Sequence, residues 1–316
     1  MLNSKDIFYN LSELKNSKLF TLKSCGKTFF SAFACLSLAV IFFCNFCFAQ
    51  GFKELKITGD LPLKNPKSFD RDGSGFFYIA DSGNNRVVKV DSSGKIIQTK
   101  GKYGWANGKF DLPIDIDASS GLDIFVADFN NRRVQRFDRN LNFLSVFPSE
   151  ENNLSFGNVV SAVLSSQGDL IFLDSENGVL QKVGSDGEFD ETFEFAIGSS
   201  EIQLQEPVRV RVNKSKKIVV LDRKSLKLFI FDYFGNFLTD FGDKFLEKPI
   251  TFRIYNGEIL VLDSDLIYSF NFSGGVNYRM KIPQELKGIT DFLIFDKTLV
   301  FLQKDKILFW EDFKKK

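Results

Sequence analysis

The stretch Phe76-Phe-Tyr-Ile-Ala-Asp81 decides the fold, because its pattern returns at regular intervals along the chain. Each copy is a run of four or five apolar residues that ends in a polar side chain and is followed by a polar turn and a second strand-like segment. The runs end at Asp81, Asp128, Asp174, Asp222, Asp263 and, with an amide in place of the acid, Gln303. These positions are 47, 46, 48, 41 and 40 residues apart. A repeat of this length predicts the four-stranded blades of a β-propeller.

The hydrophobic pattern supports this architecture. A continuous apolar run indicates a strand buried on both faces, as expected in the middle of a blade that packs between two others. The segments after the first two runs, Arg86–Asp91 and Arg132–Asp138, alternate more and should lie further from the axis. Residues 50–316 show no sustained helical period and hold about six repeats. They are therefore predicted to form one all-β domain, a six-bladed β-propeller.

The ring also needs a source for its last strand. After Trp310 only six residues remain, too few for a turn and another full strand. Residues 52–57 precede the first repeat and have no other predicted partner. We therefore expect this N-terminal strand to close the last blade, because closure by both chain ends removes free sheet edges.

Residues 1–49 have the composition of a targeting segment. Five lysines and two acids come before residue 28, and the 22 residues 28–49 carry no charge. With small residues at Cys47 and Ala49, this is the pattern of a secretory signal, cut after Ala49. The alternative is an uncleaved anchor helix, since 22 residues can span a bilayer. Both interpretations predict an extracytoplasmic propeller, periplasmic or secreted in the first case and tethered to the membrane through residues 28–49 in the second.

Composition excludes several functional classes. The chain has no histidine, which removes histidine-based catalytic triads and histidine metal ligands. All four cysteines come before residue 50, so the propeller is predicted to have no disulfide. With 41 basic and 40 acidic residues, no charge excess points to a nucleic-acid partner. No cofactor is predicted.

Two units resemble a known repeat. Asp81-Ser-Gly-Asn-Asn-Arg-Val-Val, with Asp91-Ser-Ser-Gly and Gly108-Lys-Phe-Asp-Leu-Pro113 after it, is similar to an NHL repeat, and residues 128–138 form a second match. The later four units keep only the skeleton of strand and terminal acid. The resemblance implies a six-bladed propeller, and it implies function as a sensor or interaction module, which is common among NHL-type proteins.

The polar residues at the turns of these two units invite a catalytic interpretation, but a structural role is favoured. An acid before a tight turn can accept backbone N–H groups, asparagine tolerates the left-handed conformation, and arginine can reach a nearby carboxylate. A feature that recurs from blade to blade is more typical of a structural role than of a single active site. The residues concerned are Asp81, Asp128, Asn85, Asn131, Arg86 and Arg132.

Equivalent positions on the innermost strands suggest a polar channel. Counting back from each strand-end residue predicts a channel lining of Asp70, Asp117, Leu164, Arg211, Arg253 and Leu293. Asp115 and Arg209 repeat the signs two residues earlier, on the same face of a regular strand. The functional hypothesis is a pocket for a zwitterionic or anionic ligand, formed by Asp70, Asp115, Asp117, Arg209, Arg211 and Arg253. The alternative is that these charges pair with one another or with channel water.

One loop is a candidate partner-binding surface. Residues 100–109 carry three lysines, three glycines and the aromatic residues Tyr103 and Trp105, and should emerge on the same face as the turns after the strand-end acids. Trp105 could anchor a partner, because tryptophan is favoured at binding hot spots. The alternative is a packing role within the repeat.

Two functions remain at this stage. The favoured one is a non-catalytic recognition or scaffold module that binds a protein, peptide or glycan on the loop face. The alternative is a metal-dependent hydrolase or lyase, because some related six-bladed propellers hold a divalent metal. Asp70, Asp115 and Asp117 could then form a weak Ca²⁺ site, but arginines in the channel repel cations, so no metal site is predicted.

Overall fold

The computed structural model describes residues 52–59, 61–148, 157–193 and 202–311. The predicted leader, residues 1–49, lies outside this range. Within the described residues, no helix has the length and apolar character needed to cross a membrane.

The described strands form six antiparallel sheets. The first strand, β1 (Lys53–Lys56), stands apart from the blade that follows it. The first two blades comprise β2 (Ser68–Arg71), β3 (Phe77–Asp81), β4 (Arg86–Val90) and β5 (Ile96–Lys100), then β6 (Pro113–Asp117), β7 (Asp123–Asp128), β8 (Arg133–Asp138) and β9 (Phe143–Phe147). A 3₁₀ turn, Ser82–Asn84, follows β3.

The next two blades contain seven described strands. They are β10 (Val159–Leu164), β11 (Leu170–Asp174), β12 (Val179–Val183), β13 (Pro207–Val212), β14 (Ile218–Asp222), β15 (Lys227–Phe231) and β16 (Phe237–Phe241). The fifth blade and the remaining strands of the sixth are β17 (Pro249–Tyr255), β18 (Glu258–Asp263), β19 (Leu266–Phe270), β20 (Val276–Lys281), β21 (Asp291–Phe295), β22 (Thr298–Leu302) and β23 (Lys306–Glu311). A second 3₁₀ turn, Gln284–Leu286, joins these two blades.

The N-terminal strand closes the ring, as predicted. The sixth sheet has the order β1-β23-β22-β21, with Lys53 opposite Phe309 and Lys56 opposite Lys306. Lys306 Nζ also lies 2.9 Å from a carboxylate oxygen of Glu54. The first strand of the domain is therefore the outer strand of its last blade.

The core lies between neighbouring blades. The second strand of each blade is buried along nearly its whole length, in agreement with its continuous apolar sequence. One hydrophobic cluster, for example, joins Ile171 and Leu173 of the third blade to Val210 and Ile218 of the fourth. Burial of apolar area on both faces of these strands supplies the main stabilisation, at about 25 cal/mol per Å².

The strand-end acids fasten the connections between blades, which confirms their structural role. Asp81 accepts the backbone N–H of Lys64 at 2.7 Å, and Asp128 accepts that of Asp111 at 2.8 Å. The same interaction recurs at Asp174, Asp222 and Asp263, whose carboxylates accept backbone N–H groups of Gly157, Gln205 and Glu247. The turns after these acids and the connections between blades thus share one face of the ring, called the loop face below.

The two arginines after Asp128 pair with different carboxylates, one in their own blade and one in the next. Arg133, not Arg132, pairs with Asp128, at 2.9 Å. Arg132 has a φ of 55° and an exposed ion pair with Glu176. Its counterpart in the first blade is Asn85, with a φ of 53°. Aligning the two turns by their Asn-Arg dipeptides therefore shifts the alignment by one residue.

Candidate functional site

The inner strands place one polar residue each at equivalent positions, which together form the upper layer of the channel. Each lies opposite the residue just before a strand-end position, as Asp115 lies opposite Ala127. The six residues are Ser68, Asp115, Ser161, Arg209, Thr251 and Asp291. All are buried. In four of the six strands a bulge directly precedes the polar residue, and bulges commonly re-aim side chains in this way.

Two residues further along each strand lies the lower layer. Its members are Asp70, Asp117, Val163, Arg211, Arg253 and Leu293. Val163 takes the place predicted for Leu164, because Val163 lies opposite Ile171, three residues before the strand-end acid. The other five positions agree with the predicted register.

Asp291 is the centre of the upper layer. Arg209 donates to both of its carboxylate oxygens, at 2.8 and 3.0 Å, and Arg253 donates at 2.6 Å. The backbone N–H of Phe69, in the next blade, donates to it at 3.2 Å. Ser68 Oγ lies 3.0 Å away. Since Asp291 is fully buried, two guanidinium groups offset the cost of keeping its charge away from water.

Asp115 is the second carboxylate of this layer. Arg211 reaches up from the lower layer and forms a bidentate pair with it, with both distances 3.1 Å, and Arg209 lies 3.2 Å away. Ser161 donates its hydroxyl to the same carboxylate. Burial opposes the ionisation of Asp115, but the charge and hydrogen bonds of Arg211, together with the Ser161 hydroxyl and the charge of Arg253, outweigh it and hold the pKa below its usual range.

The lower layer is paired less completely. Asp70 and Asp117 accept backbone N–H groups from the next blade, those of Ala118 and Leu164, at 2.8 and 2.7 Å. Burial, and then the neighbouring charge of Asp117, raise the pKa of Asp70 to about 7. Arg253 is 7% exposed, and its Nε and Nη1 atoms have no hydrogen-bond partner within the described part of the chain.

These contacts define what the channel can do chemically. Its six predicted charged residues do come together around the axis, and most of their hydrogen-bonding capacity is used between blades. Asp115, one of the three acids considered for Ca²⁺, is held by two arginines. Across residues 52–59, 61–148, 157–193 and 202–311, no group of three or more histidine, cysteine or acidic side chains is arranged to hold a metal ion.

Four channel residues were not identified from the sequence: Ser68, Ser161, Thr251 and Asp291. The signal that could have found them is the same register count, made two residues earlier in every unit and not only in the second and fourth. Asp291 would then have been recognised as the carboxylate nearest to the channel arginines.

The loop with Tyr103 and Trp105 lies on the loop face, between β5 and β6. Phe110 is the packed aromatic of this loop: it is fully buried, and its ring centroid lies 5.8 Å from that of Phe137. Gly101, with a φ of 109°, has no room for a side chain against Phe110. Tyr103 and Trp105, by contrast, are 62% and 73% exposed. The packing role considered for the loop aromatics thus belongs to Phe110.

The closed ring of six antiparallel sheets, with an N-terminal strand in the last sheet, defines the class of six-bladed β-propellers. Residues 110–137 match the family model of the NHL repeat. The protein is a six-bladed β-propeller that contains a match to the NHL repeat.

Part of the chain is similar in sequence to two characterised proteins. The chain is 33% identical over 146 residues to the Drosophila melanogaster protein brain tumor, a match that covers 45% of this chain and 13% of that protein. It is 35% identical over 89 residues to mouse NHL repeat-containing protein 3, covering 27% of this chain and 26% of that protein. The matched region thus spans about a quarter or less of these relatives.

Among solved structures, the fold resembles that of virginiamycin B lyase from Staphylococcus aureus. The TM-score is 0.63 at 12% identity, and the match covers 82% of this chain and 98% of the lyase. A streptogramin B lyase structure is similar at a TM-score of 0.61 and 12% identity, covering 82% and 96% of the two chains. At this identity the likeness concerns the fold alone.

Proposed function

We propose that the protein is a non-catalytic recognition or scaffold module that binds a partner through the loop carrying Tyr103 and Trp105. The observation that carries the proposal is the contrast within this loop between the buried Phe110 and the two exposed aromatics. Exposure of large aromatic side chains to water on an ordered loop is energetically unfavourable, and such side chains are enriched at binding hot spots. NHL-repeat relatives are consistent with a role in interaction.

The contacts in the channel favour recognition over catalysis. The carboxylates of Asp115 and Asp291 are engaged by arginines and hydroxyl groups of the protein itself, so neither is placed as an accessible base or nucleophile. The alternative is a metal-dependent hydrolase or lyase. The lyase structure with quinupristin is of a catalytically inactive variant in which a histidine is replaced by alanine. This chain contains no histidine, which weighs against the same chemistry here.

A second candidate is a small polar ligand in the lower layer of the channel, bound by Asp70, Asp117, Arg211 and Arg253. The unpartnered Nε and Nη1 atoms of Arg253 favour it, since a ligand oxygen could accept from them. A thermal-shift series with formate, acetate and phosphate tests this proposal. A shift that is present in the wild type and absent in Arg253→Met supports it, and no shift with any of these anions contradicts it.

We also place the propeller outside the cytoplasm, either released after cleavage at Ala49 or tethered through residues 28–49. The support is the uncharged run 28–49 after a basic segment. N-terminal sequencing of the protein from fractionated cells distinguishes the cases. A cytosolic protein that begins at residue 1 contradicts both.

The recognition proposal is tested with a double variant, Tyr103→Ala/Trp105→Ala. Affinity capture from the native host, followed by quantitative mass spectrometry, should show loss of the specific partners by at least tenfold. The matched control is Leu122→Ala, which removes a side chain 69% exposed outside this loop. Partners that are retained equally by both variants would refute the assignment of the binding surface.

A further inference from the structure

We infer that the loop surface around Tyr103 and Trp105 binds an acidic polypeptide segment, whose carboxylates are neutralised by Lys100, Lys102 and Lys109. The inference rests on the proposed function and adds the chemical class of the partner. The surface is defined by these five residues and is called the basic aromatic surface.

The loop is pre-organised by its own backbone hydrogen bonds. Within it, Gly104 N–H donates to the carbonyl of Phe110 at 3.1 Å, and Phe110 N–H donates to that of Lys102 at 3.0 Å. Lys109 N–H closes a turn on the carbonyl of Ala106 at 2.9 Å. A partner that binds here therefore orders little backbone, so less of the binding free energy is lost to conformational entropy.

Side chains of β8 also hold the loop in place. Gln135 accepts the N–H of Gly108 at 2.8 Å and donates to the carbonyl of Lys109 at 2.7 Å. Arg133 donates to the carbonyls of Ala106 and Lys109, at 3.2 and 3.0 Å. These buried and half-buried partners use the polar groups beneath the loop, so the loop presents Tyr103 and Trp105 outward from a rigid support.

The stems of two lysines lie close to glycines of the loop. A side chain at Gly108 would lie 2.6 Å from Cε of Lys100, and one at Gly104 would lie 2.9 Å from Cδ of Lys109. Glycine at these positions thus leaves room for the two lysine stems to lie against the loop. Long stems packed on a surface keep the ammonium group in water beside it.

The loop carries a net positive charge. Residues 100–112 hold three lysines and one acid, Asp111, for a net charge of +2. Asp111 accepts a hydrogen bond from the side chain of Asn130 at 2.9 Å. In the described part of the chain, none of the three lysine ammonium groups forms an ion pair. Their charge is therefore available to a partner, and electrostatic complementarity selects an acidic one.

The small number of charges favours a peptide over a nucleic acid. Nucleic-acid binding typically neutralises about 6–10 phosphates, whereas this surface offers three lysines and the whole chain has a net charge of +1. Two aromatics that flank a few lysines suit a segment in which acidic and apolar side chains alternate.

The test uses the full chain and a fluorescein-labelled twelve-residue peptide of Glu, Asp and Leu. Fluorescence anisotropy at 50 mM NaCl should give an affinity at least tenfold higher for this peptide than for its counterpart with Gln and Asn. Raising NaCl to 300 mM should weaken the binding several-fold, because the charges are exposed. Equal binding of the two peptides, or binding of a twelve-nucleotide oligouridylate in preference to the acidic peptide, would overturn the inference.

Charge variants test whether the three lysines cause the preference for the acidic peptide. Lys100→Glu/Lys102→Glu/Lys109→Glu should lose at least tenfold in affinity for the acidic peptide. The control Lys95→Glu/Lys214→Glu/Lys297→Glu, at exposed lysines outside the surface, should keep it. Both triple variants must show the urea midpoint of the wild type. If the lysine variant still captures the native partners and Tyr103→Ala/Trp105→Ala does not, the acidic class is wrong and the proposed function stands. If neither variant changes capture, the proposed function fails as well.

Discussion

The upper and lower layers of the channel come from neighbouring positions of the same repeat but are paired very differently. In the upper layer Asp291 and Asp115 each contact two arginines. In the lower layer Asp70 and Asp117 accept backbone N–H groups, and Arg253 keeps two nitrogen atoms without partners among the described residues. Both layers therefore join the blades, but only the lower layer keeps buried side-chain atoms that have no partner among the described residues.

The largest effect is expected at Asp291. Asp291→Ala leaves Arg209 and Arg253 buried without their shared carboxylate, and loss of one partner from a buried ion pair costs about 3–5 kcal/mol. Urea unfolding should show this decrease in the free energy of unfolding. Asp305→Ala, an exposed acid of the same blade, should change it by less than about 0.5 kcal/mol. A loss of under 1 kcal/mol at Asp291 would remove the distinction between the layers.

The two arginines of the Asp291 cluster should differ. Arg209→Met removes a bidentate pair to Asp291 and a contact to Asp115, and we expect a cost of about 2–4 kcal/mol. Arg253→Met removes one short bond to Asp291 and one hydrogen bond to the carbonyl of Phe69, but it also removes two unpartnered nitrogens, so its cost should be smaller, about 1 kcal/mol. The same urea series measures both variants. Equal costs would show that Arg253 is satisfied by something outside the described chain, such as water or a ligand.

The smallest effect concerns Asp70 and depends on pH. Its folded-state pKa of about 7 lies above the ordinary value of 3.8, so the folded protein holds this proton more tightly than the unfolded chain does. The stabilisation is complete below pH 4 and is lost as the pH rises through 7. Asp70→Asn, which cannot ionise, should be more stable than the wild type at pH 8.5 and equal to it near pH 4.

Thermal unfolding across this pH range checks the expectation. Asp305→Asn is the exposed control and should follow the wild type throughout. If Asp70→Asn is instead less stable than the wild type at pH 8.5, the ionised carboxylate gains more from Arg253 and Arg211 than it loses by burial, and the lower layer is as well paired as the upper.

Much of the fold was predictable because its causes are local and repeated. Runs such as Ile218–Asp222 are buried on both faces in every blade, so a continuous apolar sequence recurs six times, five times with a terminal acid and once with Gln303. Ring closure by residues 53–56 was predictable from strand counting, and the structure confirms it. The strand-end acids could also be interpreted correctly, because the backbone groups they accept lie at the same place in each repeat.

The channel was predictable only in part. Asp70, Asp117, Arg211 and Arg253 were found by register, but Leu164 was assigned in place of Val163. The ion pairs could not be predicted from the sequence, since the partners of Asp291 lie about 40, 80 and 220 positions away, in three other blades. At the turn after Asp128, two adjacent arginines offered two alignments with the first blade, and only the backbone conformation distinguishes them.

The seam between β1 and β23 has a consequence for the order of assembly. Contacts within a blade form between segments that are made close together in time, but 252 residues of chain separate Glu54 from its partner Lys306. The first strand of the propeller must therefore remain unpaired until nearly the whole propeller has been synthesised. Five blades can fold as soon as their own strands are synthesised, whereas the sixth is complete only when β23 is available to pair with β1.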